Sequence, residues 1–236
     1  MTPQISIVIP VYNHAPETLA CLCSLEEQTE RSFEVVVVDD GSVDHLDEVL
    51  ADFQPSFPFS LVRFETNRGA PAARNEGARR TQGEYLLFLD ADITLIPTAL
   101  AQLKEILDQH ADIDFVYSRF FFGWKEFPGK AFDPEALKKQ NYIHTSALLR
   151  RRAFPGFDEA LKKFQDWDLW LTMSARGSKG YWLSDLLFRV KMRETGMSHW
   201  LPSIAYKIPW PIFGWMPSEI RRYREAEAII RKKHGI

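Results

Sequence analysis

The sequence predicts an α/β fold in which helices flank a mostly parallel central sheet. Three observations carry that expectation. Apolar, β-branched runs of buried-strand length, such as ISIVIP at 5–10 and FEVVVV at 33–38, alternate with stretches of helical spacing. The helical stretches run to about ten to thirteen residues, enough for the right-handed crossovers that join parallel strands. Polar clusters then fall just past three of the apolar runs, at the strand ends where such sheets bind ligands.

Taken in order, the strands are expected at 5–10, 33–38, 59–64, 85–89 and 113–121. Residues 17–28 carry Leu19, Leu22, Cys23 and Leu25 at helical spacing. Residues 44–53 read as a second helix capped by Ser42 or Asp44. Residues 70–80 form a small-residue helix, and 97–109 a helix with Pro97 in its first turn. The second half is less regular. Residues 123–133 are aromatic and turn-rich, 141–149 read as a strand and 165–175 as a helix. Residues 207–217 hold three prolines among aromatic residues and read as a loop, followed by a charged helix at 218–233 capped by Ser218.

The chain has 236 residues, 45% hydrophobic, 26% charged and 13% aromatic, an ordinary globular composition. That length suits one large domain, or one domain with an appendage. With 29 basic and 32 acidic residues the net charge is -3, which excludes a strongly basic nucleic-acid binder and an acidic disordered chain. Cys21 and Cys23 stand two apart in a helical stretch and face nearly opposite sides, so neither a disulfide nor a metal-binding spacing results. No basic leader precedes the first apolar run, and no stretch approaches the ~18 apolar residues of a membrane span. A cytoplasmic protein is expected.

Asp90-Ala91-Asp92 follows the apolar YLLFL run. Two carboxylates around a small residue can hold Mg²⁺ or Mn²⁺, which prefer oxygen ligands and share them with substrate phosphates. Alone, such a triplet is usually a turn or cap. Here it comes with two more clusters, Pro10-Val11-Tyr12-Asn13 and Asp39-Asp40-Gly41-Ser42, each ending an apolar run. Arg74, near the start of the small-residue helix, is suited to bidentate contact with a diphosphate, which in this setting is favoured over a solvated helix arginine.

The ordered blocks SIVIPVYN (6–13), VVVVDDGS (35–42), NRGAPAARNEG (67–77) and GEYLLFLDAD (83–92) resemble the family 2 glycosyltransferases, and NYIHTSALLRRRAF (141–154), GFDEAL (156–161) and QDWDLWL (165–171) continue the likeness. The resemblance covers about residues 4–200. It implies a GT-A-type, Rossmann-like nucleotide-diphospho-sugar transferase fold. Carried over by position, it implies that Pro10, Tyr12 and Asn13 line the nucleotide base pocket, and that Asp40 or Asp39 contacts the base or ribose. Arg74 would lie near the diphosphate, Asp90 would contact the ribose or donor sugar, and Asp92 would bind the metal, Mn²⁺ or Mg²⁺. Asp166 matches the catalytic base. Residues 1–120 would form the nucleotide-sugar half and 121–206 the acceptor half of one domain, with 207–236 an appended aromatic loop and basic helix.

The implied activity is an inverting, metal-dependent transfer of a sugar, most often from a UDP-sugar, to a hydroxyl of a glycan or lipid-linked acceptor in polysaccharide biosynthesis. Trp124, Tyr142, His144, Trp167 and Trp170 are candidate acceptor readers, with core packing as the equal alternative. Asp168 is a poor rival to Asp166, because two residues on in a helix it points elsewhere. Two positions depart from the family pattern: Gln165 stands where a Glu usually precedes the base, and Glu194 follows Arg193 where a His is frequent. His199 comes too late to replace that His. Trp210, Phe213, Trp215 and Met216 before a basic helix suit contact with an anionic membrane surface, although plain packing is favoured. The competing reading of function is a catalytically silent nucleotide-sugar-binding module. A nucleotidyltransferase is disfavoured because PVYNHAPE replaces its Gly-rich loop, and a Rossmann dehydrogenase because no GxGxxG follows a strand.

Overall fold

The computed structural model describes residues 3–192 and 217–236. The elements are β1 (Ile5–Val11), α1 (Ala15–Glu26), β2 (Phe33–Asp39), α2 (Leu46–Leu50), β3 (Phe59–Arg63), α3 (Ala70–Arg80), β4 (Tyr85–Phe88) and β5 (Ile93–Leu95). There follow α4 (Ala99–Gln109), β6 (Phe115–Phe122), β7 (Lys125–Phe127), α5 (Pro134–Lys139), β8 (Leu148–Arg150), α6 (Gln165–Ala175), β9 (Gly180–Val190) and α7 (Ser218–His234).

These strands share one sheet in the order β3-β2-β1-β4-β8-β6-β9-β5, with β7 paired to β6. The long ladders, β1 with β2 and β4, β2 with β3, and β6 with β9, are parallel. The antiparallel ladders are two or three residue pairs long. From β1 the chain steps outward through β2 to β3, then returns to place β4 on the other side of β1. In sheets of this kind such a reversal places the ligand crevice beyond the carboxyl ends of the flanking strands, here β1 and β4.

Both faces of the sheet are covered. Ile5, Ile7 and Ile9 pack with Leu22 and Leu25 of α1 and Leu103 of α4. Val8, Val36 and Val38 face the other way, toward Ala73 of α3 and Trp170 of α6. Strands buried on two faces need apolar residues at every position, which is why they read as unbroken runs. The small residues of α3 let it lie close on β1 and β2: a Cβ at Gly77 would stand 2.3 Å from Val8 Cγ1. Cys21 is buried and Cys23 exposed, and both are free thiols.

The structure corrects several sequence expectations. The helix expected at 44–53 shrinks to Leu46–Leu50, because Asp44 does not cap it. Its carboxylate accepts instead from the Ala15 N–H at 2.8 Å, capping α1 from a distance. The strand expected at 141–149 is confined to Leu148–Arg150. Upstream, local partners take the backbone donors that a ladder would need: Ile143 N–H donates to Asn141 Oδ1, Ser146 N–H to His144 Nδ1 and Ala147 N–H to the Thr145 carbonyl. Three short elements were not foreseen: β5, β7 and α5. Asp133 caps α5, accepting from the Glu135 and Ala136 N–H groups, with Pro134 at its first position. Nor was β9, an eleven-residue strand with a polar Ser184-Asp185 interruption and register shifts opposite Arg119. Residues 193–216 lie outside the described residues, and with them Arg193, Glu194, His199, Trp210, Phe213, Trp215 and Met216.

Candidate functional site

The loops after β1 and β2 are stitched into one wall of the crevice. Asn13, in the left-handed region at φ 57, donates its N–H to Ser42 Oγ at 3.0 Å and accepts from the Val43 N–H at 2.9 Å. Asp39 accepts from the Ser42 N–H at 2.8 Å and faces Arg63 Nε at 3.4 Å. Arg63 also donates to the Ser42 carbonyl at 2.9 Å. Gly41, Ser42, Val43, Arg63, Phe64 and Glu65 line a cavity of about 370 Å³ here. Pro10 closes the β1 end beside Val38, and Tyr12 is half exposed.

Asp40 has another task. Its two oxygens accept from the Arg68 and Gly69 N–H groups at 2.7 and 2.8 Å, anchoring the turn that opens α3. Burial pushes its carboxyl above the usual carboxylate range, against the pull of those two donors.

Asp90 and Asp92 flank buried Ala91 in the turn between β4 and β5. The turn closes on the Ile93 N–H to Asp90 carbonyl bond at 3.0 Å, and the Asp92 carbonyl accepts from the Lys191 N–H at 2.9 Å, just past β9. β9 therefore frames the triplet, a contact that local sequence does not announce.

Arg74 joins this turn to the far wall. Almost fully buried, it donates Nη2–H to Asp90 Oδ1 at 2.6 Å and Nη1–H to Gln165 Oε1 at 3.1 Å. Its guanidinium also lies over the Phe157 ring. Burial alone would raise the Asp90 carboxyl; the charge of Arg74, with the Arg74 hydrogen bond, brings it below the usual range.

Gln165 opens α6 after Phe164, which takes a left-handed φ of 58. Backbone strain of this kind concentrates at functional sites. Next comes Asp166, whose oxygens accept from Asn141 Nδ2 at 2.7 Å and from the Trp167 N–H at 2.8 Å. Its carboxyl is raised by burial, against the lowering effects of the Trp167 N–H and Arg74. One carboxyl held low and a second held high, with one arginine bonded to the first and to the residue just before the second, is the arrangement expected of an electrostatic anchor beside a proton acceptor.

The aromatic candidates divide. Trp167 and Trp170 belong to the core: their Nε1–H groups donate to the Leu137 and Ile143 carbonyls at 2.7 and 3.1 Å. Packing won there because each indole N–H finds a buried backbone acceptor. Tyr142 holds the Asp133 backbone, Trp124 is 94% exposed at the β6–β7 turn, and His144 stands against Phe120 and Phe188. Asp168 does point elsewhere, bonded to Lys233 and His234 of α7 at 2.9 and 2.7 Å. Sequence reasoning missed Asn141, Lys191 and Arg63, whose polar side chains or amides become site contacts only through non-local packing.

Among the described residues no group of three His, Cys, Asp or Glu side chains forms a metal cage. The Asp90–Asp92 turn offers one or two carboxylates, the donor set that suits a hard cation completing its shell with water and substrate phosphates.

Comparison with known proteins places these features in a family. A family model described as glycosyl transferase family 2 matches residues 6–158. A PGL/p-HBAD biosynthesis glycosyltransferase of Mycobacterium bovis is 34% identical over 173 residues, 70% of this chain and 68% of its own. An uncharacterized glycosyltransferase of Haemophilus influenzae is 41% identical over 114 residues, 48% of this chain but only 38% of its own length. Among solved structures, S. aureus TarS 1-349 in complex with UDP has a TM-score of 0.70 at 22% identity, covering 81% of this chain and 61% of that one. The mannosyltransferase PcManGT of Pyrobaculum calidifontis, in complex with GDP-Man and Mn²⁺, has a TM-score of 0.68 at 21% identity, covering 98% of this chain and 71% of that one. At those identities the structures show the fold, a mixed α/β arrangement of the GT-A type.

Proposed function

This chain belongs to glycosyl transferase family 2, and on that premise we propose that it is an inverting glycosyltransferase that moves a sugar from a nucleotide-sugar to a hydroxyl of a glycan or lipid-linked acceptor. One observation carries the reading: Arg74 spans from Asp90 to Gln165, so the carboxylate turn and the helix bearing Asp166 face each other across one crevice. Transfer needs both sides, an anchor for the donor and a base for the acceptor.

Asp166 takes the proton of the acceptor hydroxyl while that oxygen attacks the anomeric carbon. The bond from the anomeric carbon to the diphosphate oxygen breaks, and the diphosphate leaves with its electron pair. Attack opposite the leaving group inverts the anomeric centre. Asp90, kept ionised by Arg74, receives ribose or sugar hydroxyls. Asp39, Tyr12, Asn13 and Pro10 border the space for the base, with the Gly41–Arg63 cavity beside it; Asp40 holds that wall in place. Asp92 would hold Mn²⁺ or Mg²⁺, which when bound neutralises the charge on the departing diphosphate. UDP is the favoured nucleotide; the UDP-bound and GDP-Man-bound neighbours support a nucleoside-diphosphate donor. Residues 1–120 serve the donor and 121–206 the acceptor.

Peripheral membrane contact through 207–236 is a narrower proposal. No helix among the described residues is long and apolar enough to cross a membrane. Within α7, Arg231 and Lys233 are engaged with Lys139, Glu227, Asp158 and Asp168, leaving Arg221, Arg222 and Lys232 on the exposed side. Failure to co-sediment with anionic liposomes at low salt removes this part.

The main test is calorimetric titration of UDP and GDP, with and without Mn²⁺, followed by transfer assays with Asp166→Asn. Metal-enhanced binding and turnover lost in the variant support the reading. Turnover that persists without the Asp166 carboxylate removes Asp166 as the base, and no nucleotide binding or turnover by the wild type removes the transferase reading and favours a silent module.

A further inference from the structure

His144, a candidate acceptor reader by sequence, takes no part in the transfer just described, yet its environment specifies a role. The Ser146 N–H donates to His144 Nδ1 at 3.1 Å. That bond requires a lone pair on Nδ1, so the ring is neutral and its proton sits on Nε2. The ring packs against Phe120 and Phe188, with centroids 4.9 and 5.3 Å away, which holds its plane. Among the described residues Nε2 has no hydrogen-bond partner, and His144 as a residue is partly buried. The result is a fixed N–H donor without an acceptor among the described residues.

Its place is the crevice. The antiparallel register that pairs Leu87 with Leu148, continued past the ladder, leads from Asp90 to Thr145, the neighbour of His144. The same loop reaches Asp166 through Asn141 and is tied to α6 by the Trp170 bond to the Ile143 carbonyl. The imidazole is close enough to Asp90, Asp166 and Arg74 to feel the charge of all three. A neutral N–H donor beside an ionised carboxylate matches a hydroxyl. A hydroxyl accepts from N–H and donates to a carboxylate at once.

We infer that His144 is a specificity-determining residue for the transferred sugar: Nε2–H donates to a sugar hydroxyl that in turn donates to Asp90. The inference rests on the glycosyltransferase reading and names a contact within it. A sugar lacking that hydroxyl leaves both Nε2–H and Asp90 without a partner, which is how a polar pocket rejects an analogue.

Two variants separate the donor from the loop. In His144→Asn the shorter side chain can still accept from the Ser146 N–H through an Asx turn, but it has no donor at the Nε2 position. In His144→Gln the amide N–H reaches about that position. Calorimetry compares free UDP and GDP with UDP-glucose, UDP-galactose, UDP-N-acetylglucosamine and GDP-mannose, with Mn²⁺ present. The expected result is unchanged binding of free nucleotide by both variants. His144→Asn then weakens the preferred nucleotide-sugar by roughly three- to tenfold, the worth of one hydrogen bond, and His144→Gln restores most of it. A nucleotide-sugar bound equally well by wild type and His144→Asn overturns the inference while leaving the nucleotide site standing. Equal loss of free nucleotide and nucleotide-sugar also overturns it, since the role is then structural. No nucleotide binding by the wild type overturns the glycosyltransferase reading itself.

Discussion

Arg74 and Gln165 are 91 residues apart in sequence and 3.1 Å apart in space, the guanidinium donating to the side-chain amide oxygen. The other Nη of Arg74 holds Asp90. Gln165 departs from the acidic residue frequent at its place, and the structure shows what its amide does: it accepts from Arg74 without drawing charge away from Asp90. Arg74→Ala is expected to lower transfer by about a hundredfold, because both walls lose their common brace and a misplacement near 1 Å has that effect. Arg74→Lys should recover little, since an ammonium lacks the planar fork that spans two acceptors. Steady-state rates of the two variants check this.

Gln165→Glu adds a carboxylate beside Asp166. A like charge disfavours ionisation, so the Asp166 carboxyl moves further up. The acid limb of the pH–rate profile therefore shifts to higher pH in the variant, with the fold unchanged. A profile identical to wild type would separate Gln165 from the electrostatics of the base.

Asp166 itself predicts the shape of that profile. A base works only when deprotonated, and burial raises this carboxyl above the ordinary aspartate value of 3.8. On acidification, activity is lost at a higher pH than a solvent-exposed aspartate would allow. Asp166→Asn should cut transfer by about 10²- to 10⁴-fold, the usual contribution of general-base catalysis, while nucleotide titrations match wild type.

Asp168 tests the opposite claim, that a second nearby carboxylate is structural. It is buried and held by Lys233 and His234, with Lys233 also bonded to Asp158 at 2.7 Å. Asp168→Ala removes the shared partner of α7 and should lower stability by about 2–4 kcal/mol. Transfer per folded molecule should survive. Denaturant unfolding and an activity assay on the same preparation distinguish Asp168 from Asp166.

Gly77 marks where α3 touches the sheet. Alanine there would bring Cβ within 2.3 Å of Val8 Cγ1 and 3.2 Å of Val36 Cγ1. Overpacking of this kind costs about 1–3 kcal/mol, and Gly77→Ala should melt several degrees lower. Because α3 carries Arg74, nucleotide-sugar turnover should fall with it.

Much of this protein was determined by its sequence alone. The unbroken runs of β1, β2 and β4 announce strands covered on both faces, because only full burial favours an apolar residue at every position. α3 and α6 begin and end where their residues predict, at Ala70–Arg80 and Gln165–Ala175. The polar clusters past three strands fall on one edge of the sheet, since chain direction fixes which strand ends lie together. Only the tertiary structure decided the rest. β5 and β7 are three residues each and exist because β9 and β6 offer them a partner. β9 breaks its own pattern at Ser184-Asp185, and its pairing with β6 holds it extended. Which of Asp39 and Asp40 anchors a loop, which acceptors Arg74 bridges and which nitrogen of His144 carries the proton are all contacts between distant segments. Each depends on where a side chain's partner stands in space, and residue type and spacing do not encode that position.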